Sequence, residues 1–403
     1  MTTTINNEHK KLNVPNVRFP EFQGEWEKCK LRDIANITGG YAFKSDTLNS
    51  IGGKYQVVKM GNLYQNQLDL HRSPSYTDIL TSKAENVILR KGDIAITLTG
   101  TNNKRDFGYT YIFNDEKNLL LNQRCGLIRT TGNPYFLSCL LKTYAFLNQF
   151  FESATGGTGN QANVSTKAME MFSVNIPSLK EQKKIGELMA LLDERIATQN
   201  KIIEDLKKLK CAIIEKVYSK IQGKEYSFGQ LFEVINERNR QMEYSNILSA
   251  SQEKGMVNRD ELNLDIQFER NNINTYKIVR AGDYVIHLRS FQGGFAFSDK
   301  LGVCSPAYTI LRPNSLLEFG YLSYYFTSHR FIKSLIIVTY GIRDGRSINV
   351  EEWLNMKIVI PSKAQQLHIL KVLKSIDGKI ENNETYANCL ANQKQYLLRQ
   401  MFI

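Results

Sequence analysis

Ile176-Pro-Ser-Leu-Lys-Glu-Gln-Lys-Lys-Ile185 and Ile360-Pro-Ser-Lys-Ala-Gln-Gln-Leu-His-Ile369 are the two stretches that decide how this chain is read. Set Pro177 on Pro361, an offset of 184, and residues 176–218 run onto 360–402 without a gap. Ile185 falls on Ile369, Leu188 on Val372, Leu192 on Ile376 and Asp193 on Asp377. Further on, Ile196 falls on Ile380, Leu206 on Leu390, Ile213 on Leu397 and Val217 on Met401. Few positions are identical, yet the apolar stripe persists. Its steps of three and four are the period of one helix face. Both helices also open alike. Ser178 with Glu181, and Ser362 with Gln365, have the spacing of a capping box. There the serine hydroxyl takes the amide of the third helical residue, whose side chain reaches back.

Each helix is expected to run about 40 residues, or roughly 60 Å at 1.5 Å per residue. Propensity does not hold a helix of that length; it needs a partner face. The simplest partner is the other copy, so antiparallel pairing is expected. Gln199 and Asn383 fall at equivalent positions of the stripe. A polar residue there fixes register at a cost in stability, so the two are expected to meet or nearly meet.

Outward from the helices the repeat grows fainter. Phe136-Leu-Ser falls on Tyr321-Leu-Ser with one residue of slip, and Leu127-Ile-Arg129 resembles Ile310-Leu-Arg312. Lys91-Gly-Asp93 and Ala281-Gly-Asp283 each feed an apolar run. Short β-rich segments such as Tyr55–Met60, Ile94–Thr99, Tyr109–Phe113 and Tyr284–Leu288 precede one late helix in each half, a pattern of α+β globules. The expected order is a domain over 1–175, a helix over 176–222, a domain over 223–357 and a helix over 358–403, with residues 222–226 as the polar join.

The bulk numbers agree with this. The 403 residues are 42% hydrophobic, enough for real cores, and carry a formal charge of +12. Such an excess favours a polyanionic partner, nucleic acid before an anionic membrane. No stretch reaches the length of a membrane span. The polar N-terminus lacks a signal-peptide core and reads as a loose lead-in. Cys29, Cys125, Cys139, Cys211, Cys304 and Cys389 show neither zinc nor redox spacing and read as reduced thiols of a cytoplasmic protein.

A self-contained enzyme should mark its site, and none is marked. His9, His71, His287, His329 and His368 match no metal spacing. No phosphate-binding loop of the G-x-x-x-x-G-K-[ST] form occurs, and Gly156-Gly-Thr-Gly159 has no dinucleotide unit around it. Asn133-Pro-Tyr135 lacks the second proline of an amino-methyltransferase motif. Glu181-x-Lys183 imitates a nuclease motif, but lies in a first helical turn, where capping explains it better.

Reading a DNA sequence needs Arg, Lys, Asn or Gln on exposed loops that reach base edges. In the first domain the candidates are Lys44, Lys59, Asn102, Lys104, Arg105, Arg124, Asn160, Gln161 and Asn163. In the second they are Arg289, Ser290, Gln292, Arg343, Arg346, Ser347 and Asn349. The loops Asn160–Ser165 and Asp344–Asn349 lie at nearly matched places before each terminal strand.

At this point the chain resembles the specificity subunits of bacterial type I restriction–modification systems. The resemblance rests on the two domain–helix units, on the Ile-Pro-Ser helix starts, on Val17-Arg-Phe-Pro-Glu-Phe-Gln-Gly-Glu-Trp26, and on Cys304-Ser-Pro-Ala-Tyr308 followed by Gly345-Arg-Ser347. A single proline stands where the family usually has a pair before the glutamine motif. The resemblance implies two target-recognition domains in pseudo-twofold arrangement, separated by an antiparallel coiled-coil spacer. It implies a bipartite double-stranded DNA target, two methyltransferase subunits docked on the helices, and restriction subunits that join them. It places S-adenosylmethionine, ATP and magnesium on those partners and no cofactor, metal or catalytic residue on this chain. The alternative is a self-contained DNA methyltransferase or nuclease with fused recognition domains, which would need a catalytic motif.

Overall fold

The computed structural model of the chain describes residues 13–156, 161–251, 254–262, 270–287, 294–340 and 347–403. The quoted stretches open two long helices, Leu179–Lys220 of 42 residues and Lys363–Gln400 of 38. The chain divides into two compact units. One holds the described residues up to Gln199 together with Tyr386–Ile403; the other is Asn200–Thr385. Each unit is therefore a domain plus part of each long helix. In the first, Lys394 pairs with Asp193. In the second, Lys207 meets Glu384 at 2.7 Å and Lys210 meets Asp377 at 2.5 Å. Partner numbers fall along one helix as they rise along the other, so the pairing is antiparallel. These pairs, each at least partly open to solvent, add little energy. The stripes hold the helices, with Ile185, Met189, Leu192 and Leu390 buried in the core of the first unit.

The first domain is α+β. Its four-stranded antiparallel sheet runs Ala35–Gly39, Cys125–Thr130, Ile94–Thr97, Thr110–Ile112 in spatial order. Side chains alternate across a strand. Ile94, Ile96 and Ile128 accordingly enter one core, while Ala95, Cys125 and Leu127 enter another on the opposite face. A strand covered on both sides reads as a continuous apolar run, as Ile94–Thr97 does. The helix Pro134–Leu140 starts at Asn133, whose side-chain oxygen accepts from the Phe136 amide at 2.9 Å, with Pro134 in its first turn. That cap accounts for the Asn133-Pro-Tyr135 motif. Tyr144–Glu152 follows, capped by Thr143. Glu27–Lys30 pairs with Ser173–Ile176, the strand that leads into the long helix.

The second domain repeats the order. Lys224–Ser227 pairs with Lys357–Ile360, and the sheet runs Phe232–Ile235, Thr309–Pro313, Tyr284–Ile286, Phe295–Phe297. Again two cores flank it, with Tyr284, Ile286 and Leu311 on one face and Val285 and Ile310 on the other. Trp353 stacks on Phe228 with ring centroids 4.3 Å apart. At the end of each long helix an aromatic ring wedges into a unit. Phe402 stacks on Phe136 at 5.2 Å, and Tyr218, its equivalent by the offset, lies 5.7 Å from Tyr321.

Three joints recur in both units. Gln182 Nε2 donates to the Pro177 carbonyl at 3.0 Å, and Gln366 Nε2 to the Pro361 carbonyl at 3.1 Å. Their Oε1 atoms accept from the backbone amides of Asn133 and Glu318, tying each helix start to the domain's own helical pair. Arg129 grips Asp93 with two bonds of 2.9 Å; Arg312 grips Asp283 with bonds of 2.9 and 3.0 Å. Before each aspartate stands a glycine with positive φ, +85° at Gly92 and +101° at Gly282, a turn that other residues enter only under strain.

One joint differs. Ser362 and Gln365 form the expected capping box, with bonds of 3.3 and 3.4 Å. At the other helix only half of it exists. The Glu181 amide takes the Ser178 hydroxyl, but the Glu181 carboxylate turns away to Arg18, accepting from its Nε and Nη2 at 2.7 Å. Trp26 Nε1 adds a third bond at 3.3 Å. Capping therefore explains Glu181 only in part. Gln199 is buried in the first unit, and in the second the Asn383 amide donates to the Lys379 carbonyl at 2.6 Å.

Candidate nucleic-acid interface

Backbone hydrogen bonds draw the candidate loops of the first domain together. Leu98 N–H donates to the Arg124 carbonyl at 3.0 Å, and Val164 N–H to the Leu98 carbonyl at 2.9 Å. Gly40 N–H donates to Cys125, Tyr41 N–H to Leu121 and Asn122 N–H to Val58, each at 2.9 Å. The segments that carry Lys44, Lys59, Arg124 and Gln161 are thus joined by one chain of bonds through the sheet end. The glycine in this crossing is obligatory: a Cβ on Gly40 would sit 2.0 Å from the Asn122 carbonyl oxygen.

A small antiparallel sheet supports several of the candidate residues. Thr99–Thr101 pairs with Gln161–Asn163, which pairs with Thr155–Gly156. Gln161 stands opposite Thr101 and Asn163 opposite Thr99, so the four side chains share one face. Asn163 Oδ1 accepts from the Thr99 hydroxyl at 3.0 Å. Gln161 and Arg124 are exposed and make no side-chain hydrogen bond among the described residues. Both line a cleft of about 320 Å³ together with Met60, Gly100, Thr101 and Asp106.

The loop beyond is held rigid. Asn102–Lys104 is a single 3₁₀ turn, and Arg105 has φ of 47°, unusual for a residue with a side chain. The Arg105 guanidinium lies 5.0 Å over the Phe151 ring. Asp106 closes the turn, accepting from the Thr101 amide at 2.6 Å and the Thr101 hydroxyl at 3.3 Å. Lys44 and Lys104 are exposed and Lys59 is half-buried. A backbone fixed in this way limits the ordering cost of binding to that of the side chains themselves.

Arg289, Ser290, Gln292, Arg343 and Arg346 lie outside the described residues, as does Asn160 in the first domain. The strands that bound those segments are described: Tyr284–Ile286 pairs with Phe295–Phe297, and Thr339–Tyr340 with Ser347–Ile348. Asn349 is engaged locally. Its side-chain oxygen caps Val350–Asn355 by accepting from the Glu351 and Glu352 amides at 3.1 and 3.3 Å. The loop Thr99–Arg105 stood out in the sequence, but Met60 and Asp106 carried no signal of their own. Asp106 reaches the candidate site through its bonds to Thr101, and Met60 lines the same cleft.

Among the described residues no group of three or more His, Cys, Asp or Glu could hold a metal, and no helix is long and apolar enough to cross a membrane. All six cysteines are free thiols. Burial pushes the Cys125 and Cys304 thiols up to about 12, far from reactive thiolates.

Residues 23–208 match the type I restriction modification DNA specificity domain. The chain is 23% identical over 401 residues to a Methanocaldococcus jannaschii protein provisionally named as the MjaX type I restriction enzyme specificity subunit, covering 93% of this chain and 92% of that one. It is 29% identical over 180 residues to the EcoAI specificity subunit of Escherichia coli, covering 44% of this chain and 29% of that protein. Its fold is similar to the type I S subunit of M. genitalium, with a TM-score of 0.58 at 14% identity over 97% of this chain and 99% of that one. A chain from a study of assembly and conformational transition in the type I R-M system gives a TM-score of 0.55 at 16% identity, covering 94% and 97%.

Proposed function

We propose, because this chain belongs to the DNA specificity subunits of type I restriction–modification systems, that each of its domains reads one half of a bipartite duplex target while partner subunits perform the chemistry. The observation that carries this reading is the rigid platform of the first domain. It presents the side chains of Arg124 and Gln161, which make no hydrogen bond among the described residues, and the same domain exposes Lys44 and Lys104. These are the groups that pair with guanine, adenine and phosphate. The second domain repeats the frame beneath it with different loops, as a target with two unlike halves requires. The long helices offer a frame on which two methyltransferase subunits dock, with restriction subunits added to those. S-adenosylmethionine, ATP and magnesium then belong to the partners. Glu181, the one residue that imitates a nuclease motif, is committed to Arg18 and Trp26.

The test is a methylation assay on duplex DNA with the purified chain, alone and with a type I methyltransferase subunit. Methyl transfer is expected only in the mixture, and DNA binding by the mixture should weaken steeply with salt. Transfer by the chain alone would establish the self-contained methyltransferase instead.

A further inference from the structure

The cleft of the first domain holds a residue that does not fit a surface built only to attract phosphate. Asp106 lines it together with Arg124, Gln161 and Thr101. A carboxylate beside a backbone phosphate is repelled, yet a carboxylate is the natural acceptor for the exocyclic amine of cytosine. Its bond to Thr101 uses one acceptor position on each oxygen, and a carboxylate has about four. Two positions remain. Arg124 shares the cleft with Asp106, and the two opposite charges form no ion pair among the described residues. Both are left available for a third party.

The placement of Asp106 is enforced from two sides. A Cβ on Gly100 would lie 2.7 Å from Asp106 Oδ1 and 2.7 Å from the Cβ of Phe107, so the strand is already in contact with the turn. Phe107 is 2% exposed and packs edge-on against Phe151 at 5.2 Å. An acceptor fixed to this degree discriminates between bases, because a base that offers no donor leaves the carboxylate desolvated and unpaired.

Resting on the reading of this chain as a DNA specificity subunit, we propose that Asp106 and Arg124 together read a G·C pair of the first half-site in the major groove. Arg124 takes guanine O6 and N7 as a fork, and Asp106 takes the cytosine amino group. Asp106 also keeps phosphate out of the cleft, which leaves the backbone contacts to exposed lysines of the domain such as Lys44 and Lys104.

The experiment selects sites from a randomised duplex library with the full chain bound to its methyltransferase subunits, followed by sequencing. Wild type, Asp106→Asn and Arg124→Lys are compared. Asparagine keeps an oxygen for the Thr101 amide and removes the charge. Lysine keeps the charge and loses the fork. Both variants are expected to lower preference for the same G·C pair about tenfold or more, leaving the other half-site unchanged. Asp106→Asn should also raise affinity for unrelated DNA. Should Asp106→Asn lower the melting temperature, Arg124→Lys carries the same test, since its side chain makes no hydrogen bond or ion pair among the described residues. Unchanged preference in Arg124→Lys, or loss at two separate positions, overturns the proposal while leaving DNA reading intact. A wild-type complex that enriches no sequence overturns both.

Discussion

Glu181→Ala should destabilise the first unit by about 3 kcal/mol. The side chain is 1% exposed and accepts three hydrogen bonds, two from Arg18 at 2.7 Å and one from Trp26 at 3.3 Å. Truncation leaves a guanidinium that is only 13% exposed facing an empty site, and an indole N–H without an acceptor. Breaking a buried pair from one side costs about 3–5 kcal/mol. Arg18 keeps a bond to the Gly24 carbonyl, which places the loss at the lower end. The matched control is Gln365→Ala. That residue is exposed and among the described residues bonds only within its capping box, so about 0.5–1 kcal/mol is expected. The chain has two tryptophans, one per unit, and Trp26 is the donor to Glu181. In a Trp353→Phe background, Trp26 emission during urea unfolding reports on the first unit. A loss below about 1 kcal/mol, at unchanged denaturant slope, would show that the Arg18 clasp is not what closes this unit. Replacing both partners by methionine should recover most of the loss, because the desolvation cost goes with the charges.

Other variants probe the shared joints. Asp93→Asn and Asp283→Asn each break a two-bond grip and should cost about 2 kcal/mol, read as a midpoint shift in urea. The two share no partner, so the double variant should equal their sum within about 0.5 kcal/mol. Gly100→Ala should cost about 1–3 kcal/mol through forced displacement of Asp106 and Phe107, and blunt selection at the first half-site alone. Lys142, half-buried near Cys139, Lys394 and Asp193, has its ammonium pushed below the usual lysine range by burial. Between the folded and unfolded values the unfolded chain binds more protons, so this position adds stability as pH rises through that window. Lys142→Met should raise the melting temperature at pH 7, with the gain shrinking toward pH 10. A gain independent of pH would assign the effect to packing instead.

The helices were legible because a stripe of period 3.6 over forty residues is a long, redundant signal. The α+β class was legible from short apolar runs punctuated by glycine. The capping box at Ser362 was read correctly from four residues, and the identical spacing at Ser178 misled. What diverts Glu181 is Arg18, 163 positions away, and no local pattern announces it. The candidate site shows the same limit. Arg124 and Gln161 were visible as side chains able to reach a base. Asp106 was not, because its value depends on a strand pairing that brings Thr101 opposite Gln161. Asn349 looked like its fellow candidates by composition, but a position just before a short helix gives an asparagine a use within the fold.

The division of the long helices between the units has a consequence for biosynthesis. Asn200–Thr385 is one continuous segment, so the second unit has all its residues once the ribosome has passed Thr385. The first unit does not. Its core waits for Leu390, Met401 and Phe402, and the amide of Val17 waits for the Gln400 carbonyl. The domain translated first is thus the one completed last. A nonsense codon after Thr385 would strike the domain encoded at the opposite end of the gene, and a chain released early would expose an open core to the cell's proteases before it could engage a chromosome.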